Sequence, residues 1–312
     1  MPVSKTSKPL NVFLTGASGF IGGTIAVVLV QAGHKVRGLI RRADQAPVLE
    51  KLGITPVVGT LDDRELLIRE SRQADAVVNA ASADHRGAVE AILEALDGSG
   101  KTFLHTSGSS IVGDASGGEK AEAKVFHEDA LPEPTADKAA RVAIDRLVLD
   151  AAEKRNIRTA VMCPCLIYGH GLVPDSSSVQ LPRLIRQGKK SGVVRHVGSG
   201  GNIWSNVHVE DVADVYRRAL EKPTPAGTFY FIESGESSFR EMSEAIAAAL
   251  HLKGPEDWPL EEAKKEWGYE MASYGLGSNS RIRGKRAHEL LGWTPKRTSV
   301  LEWIKNEMGD RE

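Results

Sequence analysis

The sequence NVFLTGASGFIGG at residues 11–23 constrains this 312-residue chain more than any other stretch. It begins with apolar residues typical of a short strand, places Gly16, Gly19 and Gly22 at a spacing of three, and leads into an apolar segment at 21–30 that predicts a helix. A glycine-rich turn between a strand and a helix lets the backbone approach a pyrophosphate, and the helix N-terminus offers unpaired N–H groups. The pattern predicts dinucleotide binding; the alternative is a tight turn with a structural role only. The cofactor contacts predicted in this turn are Gly16, Ser18, Gly19, Phe20, Ile21 and Gly22.

Strands and helices alternate through the first half of the chain. The fourth predicted strand is almost entirely apolar, as expected where helices cover both faces of a parallel sheet. The alternation predicts an α/β protein with a doubly wound, mostly parallel sheet. Further strands are predicted at residues 34–40, 55–58, 74–81, 102–106 and 158–163, and helices at 46–52, from about 64, at 86–96 and at 141–152.

The second half of the chain changes character. Residues 164–178 are rich in glycine, proline and serine and predict a loop. We expect the elements after it to form a C-terminal lobe that closes over the cofactor crevice and forms the substrate site. They are a helix at 181–187, an extended piece at 193–197, a strand that becomes a helix at 207–220, a strand at 228–232, and helices at 239–250 and 299–308.

The residues that follow the second predicted strand indicate which dinucleotide binds. In a dinucleotide fold the end of this strand meets the adenosine ribose, where an acid binds the 2′-hydroxyl of NAD and arginine accommodates the 2′-phosphate of NADP. Arg41 and Arg42 occupy this place, and the nearest acid is Asp44. The sequence therefore favours NADP(H) over NAD(H); the alternative is a solvated charged pair in a loop.

Two later strand ends supply further predicted contacts to the cofactor. Asp62 is a candidate for the adenine edge, or instead caps the helix that begins near residue 64. Ala80, Ala81 and Ser82 are small enough to let the cofactor approach closely.

Composition narrows the class of partner. The net charge of −1 gives no support for a nucleic-acid or membrane partner, and we predict a small-molecule substrate. The nine histidines form no metal-ligand spacing, so no metal is predicted. Cys163 and Cys165, two residues apart on a predicted strand, face opposite sides, which argues against a mutual disulfide and favours a reducing, cytoplasmic setting.

Several motifs in order along the chain carry a family resemblance. They are TGASGFIGG at 15–23, NAAS at 79–82, HTSGSSIVGD at 105–114, PCLIYGHG at 164–171, NVHVEDVADVY at 206–216, and SNSRI with LLGWTP near 278–295. Together they resemble the extended short-chain dehydrogenase/reductases, the NAD-dependent epimerase/dehydratase-like proteins. The resemblance implies a flexible tail at 1–9, a Rossmann core at 10–171 to which residues 206–232 return, and a substrate lobe at 172–205 and 233–312. It also implies NAD(P) bound at the carboxyl edge of the sheet, with Pro164 among its contacts. Members of the family are frequently homodimers.

The catalytic part of the resemblance departs from the family pattern. The family uses a Tyr-x-x-x-Lys pair on one helix and a Ser or Thr after the fifth strand. One register of the helix puts Asp137 and Arg141 at the paired positions, and the other puts Pro134 and Lys138 there. Gly108 stands where the family has its reactive hydroxyl, so that Ser107 or Ser109 would have to substitute. The chain is similar to an atypical subgroup without the standard proton-transfer residues.

Replacements for the missing pair are open at this stage. Arg141 is a candidate to hold the nicotinamide ribose, or it forms an ion pair with Asp137 or Asp145 on a solvated face. Asp137 acts as a general acid only if burial raises its pKa. Tyr168 has a catalytic or a packing role. His85, His105 and Cys165 are weaker candidates, whose ordinary role is structural.

In the family pattern Trp204 and His208 flank the cleft and shape the substrate pocket, and Arg281 is a candidate anion contact or a lobe-surface arginine. The leading hypothesis is an NADP(H)-dependent oxidoreductase that acts on a small or medium organic carbonyl or alcohol. The alternatives are a non-redox cofactor-binding regulator or sensor, and an epimerase, dehydratase or cyclase that reuses the pocket.

Overall fold

The structure, a computed structural model, describes residues 8–309. Most of the predicted tail at 1–9, and residues 310–312 of the predicted lobe, lie outside that range. The described strands are β1 (Asn11–Thr15), β2 (Lys35–Ile40), β3 (Ile54–Val58), β4 (Ala76–Asn79), β5 (Thr102–Thr106), β6 (Phe126–His127), β7 (Arg158–Pro164), β8 (Leu166–Tyr168), β9 (Val193–Val197), β10 (Ile203–His208), β11 (Thr228–Ile232), β12 (Gly235–Ser238), β13 (Lys253–Trp258) and β14 (Ile282–Arg283).

The α-helices connect and cover these strands. A π-helix at Met271–Leu276 and 3₁₀ turns at Ser109–Val112 and Ala136–Lys138 lie near the site described below. The α-helices are α1 (Phe20–Gln31), α2 (Ala46–Lys51), α3 (Arg64–Gln73), α4 (Arg86–Ala95), α5 (Ala139–Lys154), α6 (Leu181–Ser191), α7 (Val209–Glu221), α8 (Phe239–Ala249), α9 (Leu260–Trp267), α10 (Arg286–Leu291) and α11 (Val300–Asn306).

Seven parallel strands form the main sheet in the order β11-β7-β5-β4-β1-β2-β3. Helix α1 packs against α7, while α3, α4 and α5 form a second group. Right-handed crossovers on the two sides of β1 place α1 on one face of the sheet and α3, α4 and α5 on the opposite face, and α7 lies on the face of α1. The predicted doubly wound Rossmann-type fold is confirmed. Its winding reverses between β1 and β4, and the crevice at such a switch point is where α/β folds bind ligands.

A second hydrophobic cluster lies in the C-terminal half of the chain. Leu184, Val197, Phe239 and Trp303 belong to it, and each of them is almost completely buried. The segment 164–178 is not wholly loop, because β8 pairs with β10 in parallel, with Asn206 opposite Leu166. This pairing carries the chain from the end of the main sheet into the second cluster.

Gly38 and Gly87 offer a test of how tightly the core packs beside the glycine turn. A Cβ at Gly38, in β2, would overlap the Cβ of Ala17, whereas a Cβ at Gly87, in α4, has its nearest neighbour 3.7 Å away in the His85 ring. We expect Gly38→Ala to lower the free energy of unfolding by about 1–3 kcal/mol through overpacking. The same substitution at Gly87 should raise it by roughly 0.5 kcal/mol because alanine favours the helix. Urea denaturation of both variants checks this, and equal effects would contradict it.

Candidate functional site

Two cavities lie at the carboxyl edge of the main sheet, one on each side of the glycine turn. The edge cavity has a volume of about 290 Å³ and is lined by Gly16, Ser18, Gly19, Leu39, Ile40, Arg41, Gly59, Thr60, Leu61, Ala80, Ala81 and Ser82. The central cavity has a volume of about 350 Å³ and is lined by Phe20, Ile21, Ser107, Gly108, Ser109, Ser110, Arg141, Pro164, Cys165, Ile167, Ser178, Val179, Gln180, Trp204, Glu270, Met271, Tyr274 and Gly275. Most of the predicted cofactor contacts line one of the two.

The glycine turn between the cavities has no room for side chains at two of its glycines. Gly16 has a φ of +78°, and a Cβ there would lie 2.9 Å from the carbonyl oxygen of Ala80. A Cβ at Gly22 would overlap the carbonyl oxygen of Gly16. Helix α1 begins after Gly19 with no side-chain cap and with no acid in its first turn. An uncapped helix N-terminus with this close backbone approach fits the pyrophosphate of a dinucleotide.

The two arginines after β2 differ in their surroundings. Arg41 lines the edge cavity, while Arg42 is paired with Asp44, with 3.0 Å between its Nε and the carboxylate. Asp62 lies outside the lining of both cavities, and its carboxylate is 3.0 Å from the Nε2 of His85. The cap of α3 is Asp63, whose carboxylate accepts a hydrogen bond from the Leu66 N–H.

Arg141 lies at the wall of the central cavity and is held there by an acid from another element. It donates two hydrogen bonds to Asp84, of 2.8 and 2.6 Å, and one of 3.0 Å to the Ser110 hydroxyl. The bond to Asp84 raises the pKa of Arg141 above its ordinary value. The ion pair considered with Asp137 or Asp145 is therefore made with Asp84, and Arg141 presents a fixed cation to the cavity.

The serines after β5 are tied to different partners. The Ser107 hydroxyl donates to Asp145 at 2.7 Å, and the Ser109 hydroxyl accepts from Ser280 at 2.8 Å. Burial raises the pKa of Asp145 to about 7. Asp145 was missed as a site residue by the sequence interpretation, although it follows Arg141 by one helical turn. The sequence offered one signal for Asp145, an acidic residue among the apolar residues of a predicted helix.

Asp137 contacts the C-terminal half rather than Arg141. Its carboxylate accepts hydrogen bonds from Tyr274 at 2.7 Å and Tyr269 at 3.2 Å, and the bond to Asp137 raises the pKa of Tyr274 to about 12. Lys138 pairs with Glu270 and lies 4.4 Å from the centre of the Tyr274 ring. Through these contacts the 3₁₀ turn at Ala136–Lys138, directly before α5, holds the π-helix beside the central cavity. No local motif around Tyr274 could have indicated this.

The other predicted residues are placed as follows. Trp204 lines the central cavity, and its indole N–H donates to the Ser278 carbonyl at 2.8 Å. Tyr168 is buried against His208, 5.3 Å between ring centres, and burial raises its pKa. His208 caps α7 by accepting from the Glu210 N–H. Arg281 pairs with Glu236 at 2.7 Å and lines neither cavity. The surroundings of Tyr168 and Arg281 fit the packing and surface alternatives, and His208, expected to flank the cleft, lines neither cavity.

The sequence model of the NAD dependent epimerase/dehydratase family matches residues 12–232. The chain belongs to this family. The family and its relatives are NAD(P)-dependent oxidoreductases, epimerases and dehydratases, and the chain is an enzyme of this kind.

Curated relatives span almost the whole chain. It is 32% identical to the oxidase ucsJ of an Acremonium species, over 91% of this chain and 92% of that protein. It is 27% identical to a 4-hydroxy-2-methyl-3-oxo-4-farnesyl-3,4-dihydroquinoline-1-oxide ketoreductase of Stigmatella aurantiaca, over 93% of each.

Solved structures share the fold at lower identity. A dTDP-glucose 4,6-dehydratase of Bacillus anthracis in complex with NAD has a TM-score of 0.75 at 18% identity, over 95% of this chain and 94% of that one. A UDP-glucose 4-epimerase of Thermotoga maritima has a TM-score of 0.73 at 19% identity, over 95% of this chain and 96% of that one.

Within residues 8–309 no helix has the length and apolar character needed to cross a membrane.

His208 makes the stability of the folded protein depend measurably on pH. Burial lowers its pKa to about 3, against about 6.5 in an unfolded chain. As the pH falls below 6.5, the unfolded state takes up a proton that the folded state refuses, so that stability is lost at up to about 1.4 kcal/mol per pH unit. We expect His208→Asn, which keeps an acceptor for the Glu210 N–H, to remove this part of the acid destabilisation between pH 6 and pH 4.

The matched control is His127→Asn, because His127 is exposed. Urea unfolding from pH 4 to pH 8 should show the control following the wild type, and a His208→Asn curve parallel to the wild-type curve would contradict the assignment.

Proposed function

We propose that this enzyme is an NADP(H)-dependent oxidoreductase that interconverts a carbonyl group and an alcohol on a small or medium-sized, largely apolar organic molecule. The observation that carries the proposal is the central cavity. It begins where the glycine turn ends, at Phe20 and Ile21, it is walled by apolar side chains such as Ile167 and Met271, and serine hydroxyls line it beside Arg141.

The charge of the central cavity favours this substrate class over a nucleotide sugar. Among the residues that line it, Arg141 is the one cation, and Asp84 already neutralises it. A substrate with a diphosphate of its own would need further cations, and Arg281 is occupied by Glu236. The ketoreductase of Stigmatella aurantiaca, which matches along nearly the whole chain, supports the same class of reaction.

Bound NADP(H) supplies or accepts a hydride in this chemistry. The backbone N–H groups at the start of α1 bind its pyrophosphate, and Arg41 in the edge cavity binds its 2′-phosphate. Arg141 acts as a fixed cation for the nicotinamide ribose, and a serine hydroxyl of the segment after β5 holds the substrate oxygen. Trp204 and Ile167 exclude water from the reacting carbon.

Native mass spectrometry and a turnover assay test the proposal directly. We expect the purified protein to retain or take up one NADP(H) per chain and to oxidise NADPH with at least one member of a panel of alkyl and aryl ketones. UDP-glucose and dTDP-glucose serve as comparison substrates. A protein that binds neither NADPH nor NADH, or that acts on the sugar nucleotides and on no ketone, would contradict the proposal.

Arg41 and Arg42 form a matched pair for the cofactor preference. Because Arg41 lines the edge cavity while Arg42 is held by Asp44, we expect Arg41→Ala to weaken NADPH binding at least tenfold and NADH binding by less than threefold. Arg42→Ala should change the affinity for either cofactor by less than threefold. Fluorescence titration of both variants measures this, and equal losses of NADPH and NADH affinity in Arg41→Ala would refute the role of Arg41.

A further inference from the structure

A buried acid stands directly behind the central cavity. Asp145 is 3% exposed and accepts a hydrogen bond of 2.7 Å from Ser107, which lines the cavity. Its second oxygen, Oδ1, has no hydrogen-bond partner among the described residues and lies 3.7 Å from the Nε2 of His105. A buried, ionised carboxylate with one oxygen left without a partner is costly, and protonation is the ordinary way to avoid that cost.

The hydrogen bonds around His105 show which of its nitrogens carries hydrogen. The Thr15 hydroxyl accepts from the N–H groups of Ala80 and Ala81, so its own hydrogen is free to donate to the Asn79 oxygen at 2.6 Å. The amide nitrogen of Asn79 therefore donates, 3.1 Å from the Nδ1 of His105.

A His105 whose Nδ1 accepts a hydrogen bond carries its hydrogen on Nε2, the atom that faces Asp145. Burial lowers the pKa of His105 to about 4, so the ring is neutral at physiological pH. A neutral His105 gives Asp145 no compensating positive charge.

We propose that Asp145 is a positioning residue that turns the Ser107 hydroxyl hydrogen into the central cavity and returns a proton to Ser107. It does so in place of the tyrosine of the family's Tyr-x-x-x-Lys pair, which this chain lacks. The inference rests on the proposed function. A protonated Asp145 donates to the Ser107 oxygen, which leaves the serine hydrogen free to meet a substrate oxygen. An ionised Asp145 instead accepts that hydrogen and withholds it.

The step balances for carbonyl reduction. Bound NADPH would supply the hydride and be oxidised to NADP⁺, and the carbonyl π bond breaks as the new C–H bond forms. The carbonyl oxygen takes the hydrogen of the Ser107 hydroxyl, and the Ser107 oxygen takes the carboxyl hydrogen of Asp145. The Asp145 carboxylate that remains is reprotonated from solvent, and alcohol oxidation reverses each transfer.

A third cavity, which Asp145 also lines, is the route that the proposal assigns to the proton between Asp145 and solvent. It has a volume of about 240 Å³, and Asp145 lies in its wall together with Ile111, Val142, Arg146 and Phe229. Leu131, also in its wall, is 39% exposed. Asp145 therefore faces Ser107 on one side and this cavity on the other.

The charges that face Asp145 oppose one another. Arg141 on the same helix lowers its pKa and Asp84 raises it, and burial is the largest effect, giving a value of about 7. Cys163, on β7, is also buried near it, and its pKa is raised well above the ordinary value. An acid with a pKa near neutrality is suited to giving and regaining a proton.

The proposal is tested first by titration without turnover. In protein labelled with ¹³C at the aspartate carboxyl carbon, we expect one resonance that titrates near pH 7 and is absent from Asp145→Asn. In Ser107→Ala its midpoint should move to higher pH, because the Ser107 hydrogen bond lowers the pKa of Asp145. A wild-type protein in which every aspartate titrates below pH 5 would overturn the proposal.

Kinetics of the NADPH-loaded enzyme with a ketone supply the second test. We expect Asp145→Asn and Ser107→Ala each to lower kcat at least 100-fold while the Kd for NADPH changes less than threefold. The double variant should be no slower than either single one, since the two residues act as a unit. Asp145→Asn should also lose the limb of the kcat–pH profile near pH 7.

These outcomes separate the two proposals. A wild-type protein that reduces no ketone overturns the proposed function and the relay with it. An active wild type whose Asp145→Asn variant keeps both kcat and the pH limb overturns the relay alone. Should Asp145→Asn fail to fold, the carboxyl titration of the wild type and of Ser107→Ala decides the matter.

Discussion

The close approach of the glycine turn to the end of β4 is the constraint on which the site depends. No side chain fits at Gly16, because a Cβ there would meet the backbone of Ala80 and Ala81. The Thr15 hydroxyl stabilises this approach, because it accepts hydrogen bonds from the N–H groups of those two residues. With the turn held in this way, the N-terminus of α1 stays uncapped at the edge of the sheet, and the two cavities lie on its two sides.

The same strand ends also fix the chemistry behind the cavity. Thr15, Asn79 and His105 end or nearly end β1, β4 and β5, and each is completely buried. Buried polar groups of this kind persist only where hydrogen bonds satisfy them, and a chain of such bonds specifies one arrangement. The polar network that anchors the turn therefore also sets the orientation of the ring that faces Asp145. The proposed cofactor site and the proposed proton relay therefore share one scaffold.

The sequence was sufficient for the fold because the signals are local. The apolar runs of the strands and the glycine spacing after β1 predicted a doubly wound, mostly parallel sheet, and the structure and the family match confirm it. The contacts at the site depend instead on packing between distant segments. Asp84 and Arg141 are 57 positions apart, and Asp137 and Tyr274 are 137 apart. Neither pair leaves a mark in the local sequence, so the ion pair of Arg141 was assigned to the wrong acids, Asp137 or Asp145 in place of Asp84, and Tyr274 was passed over.

A buried acid behind a serine differs physically from an exposed Tyr-x-x-x-Lys pair. In the family pattern a lysine lowers the pKa of a tyrosine that touches substrate. Here the titrating group is withdrawn from the cavity, and burial raises the pKa of an acid instead. A serine hydroxyl is too weak an acid to give up its proton unaided, so it acts only when a neighbour replaces the proton as it leaves. Beside this acid the cavity wall carries serine hydroxyls and Arg141, which Asp84 neutralises, and apolar side chains such as Ile167 and Met271 complete it, which suits an apolar substrate whose oxygen needs a polar partner.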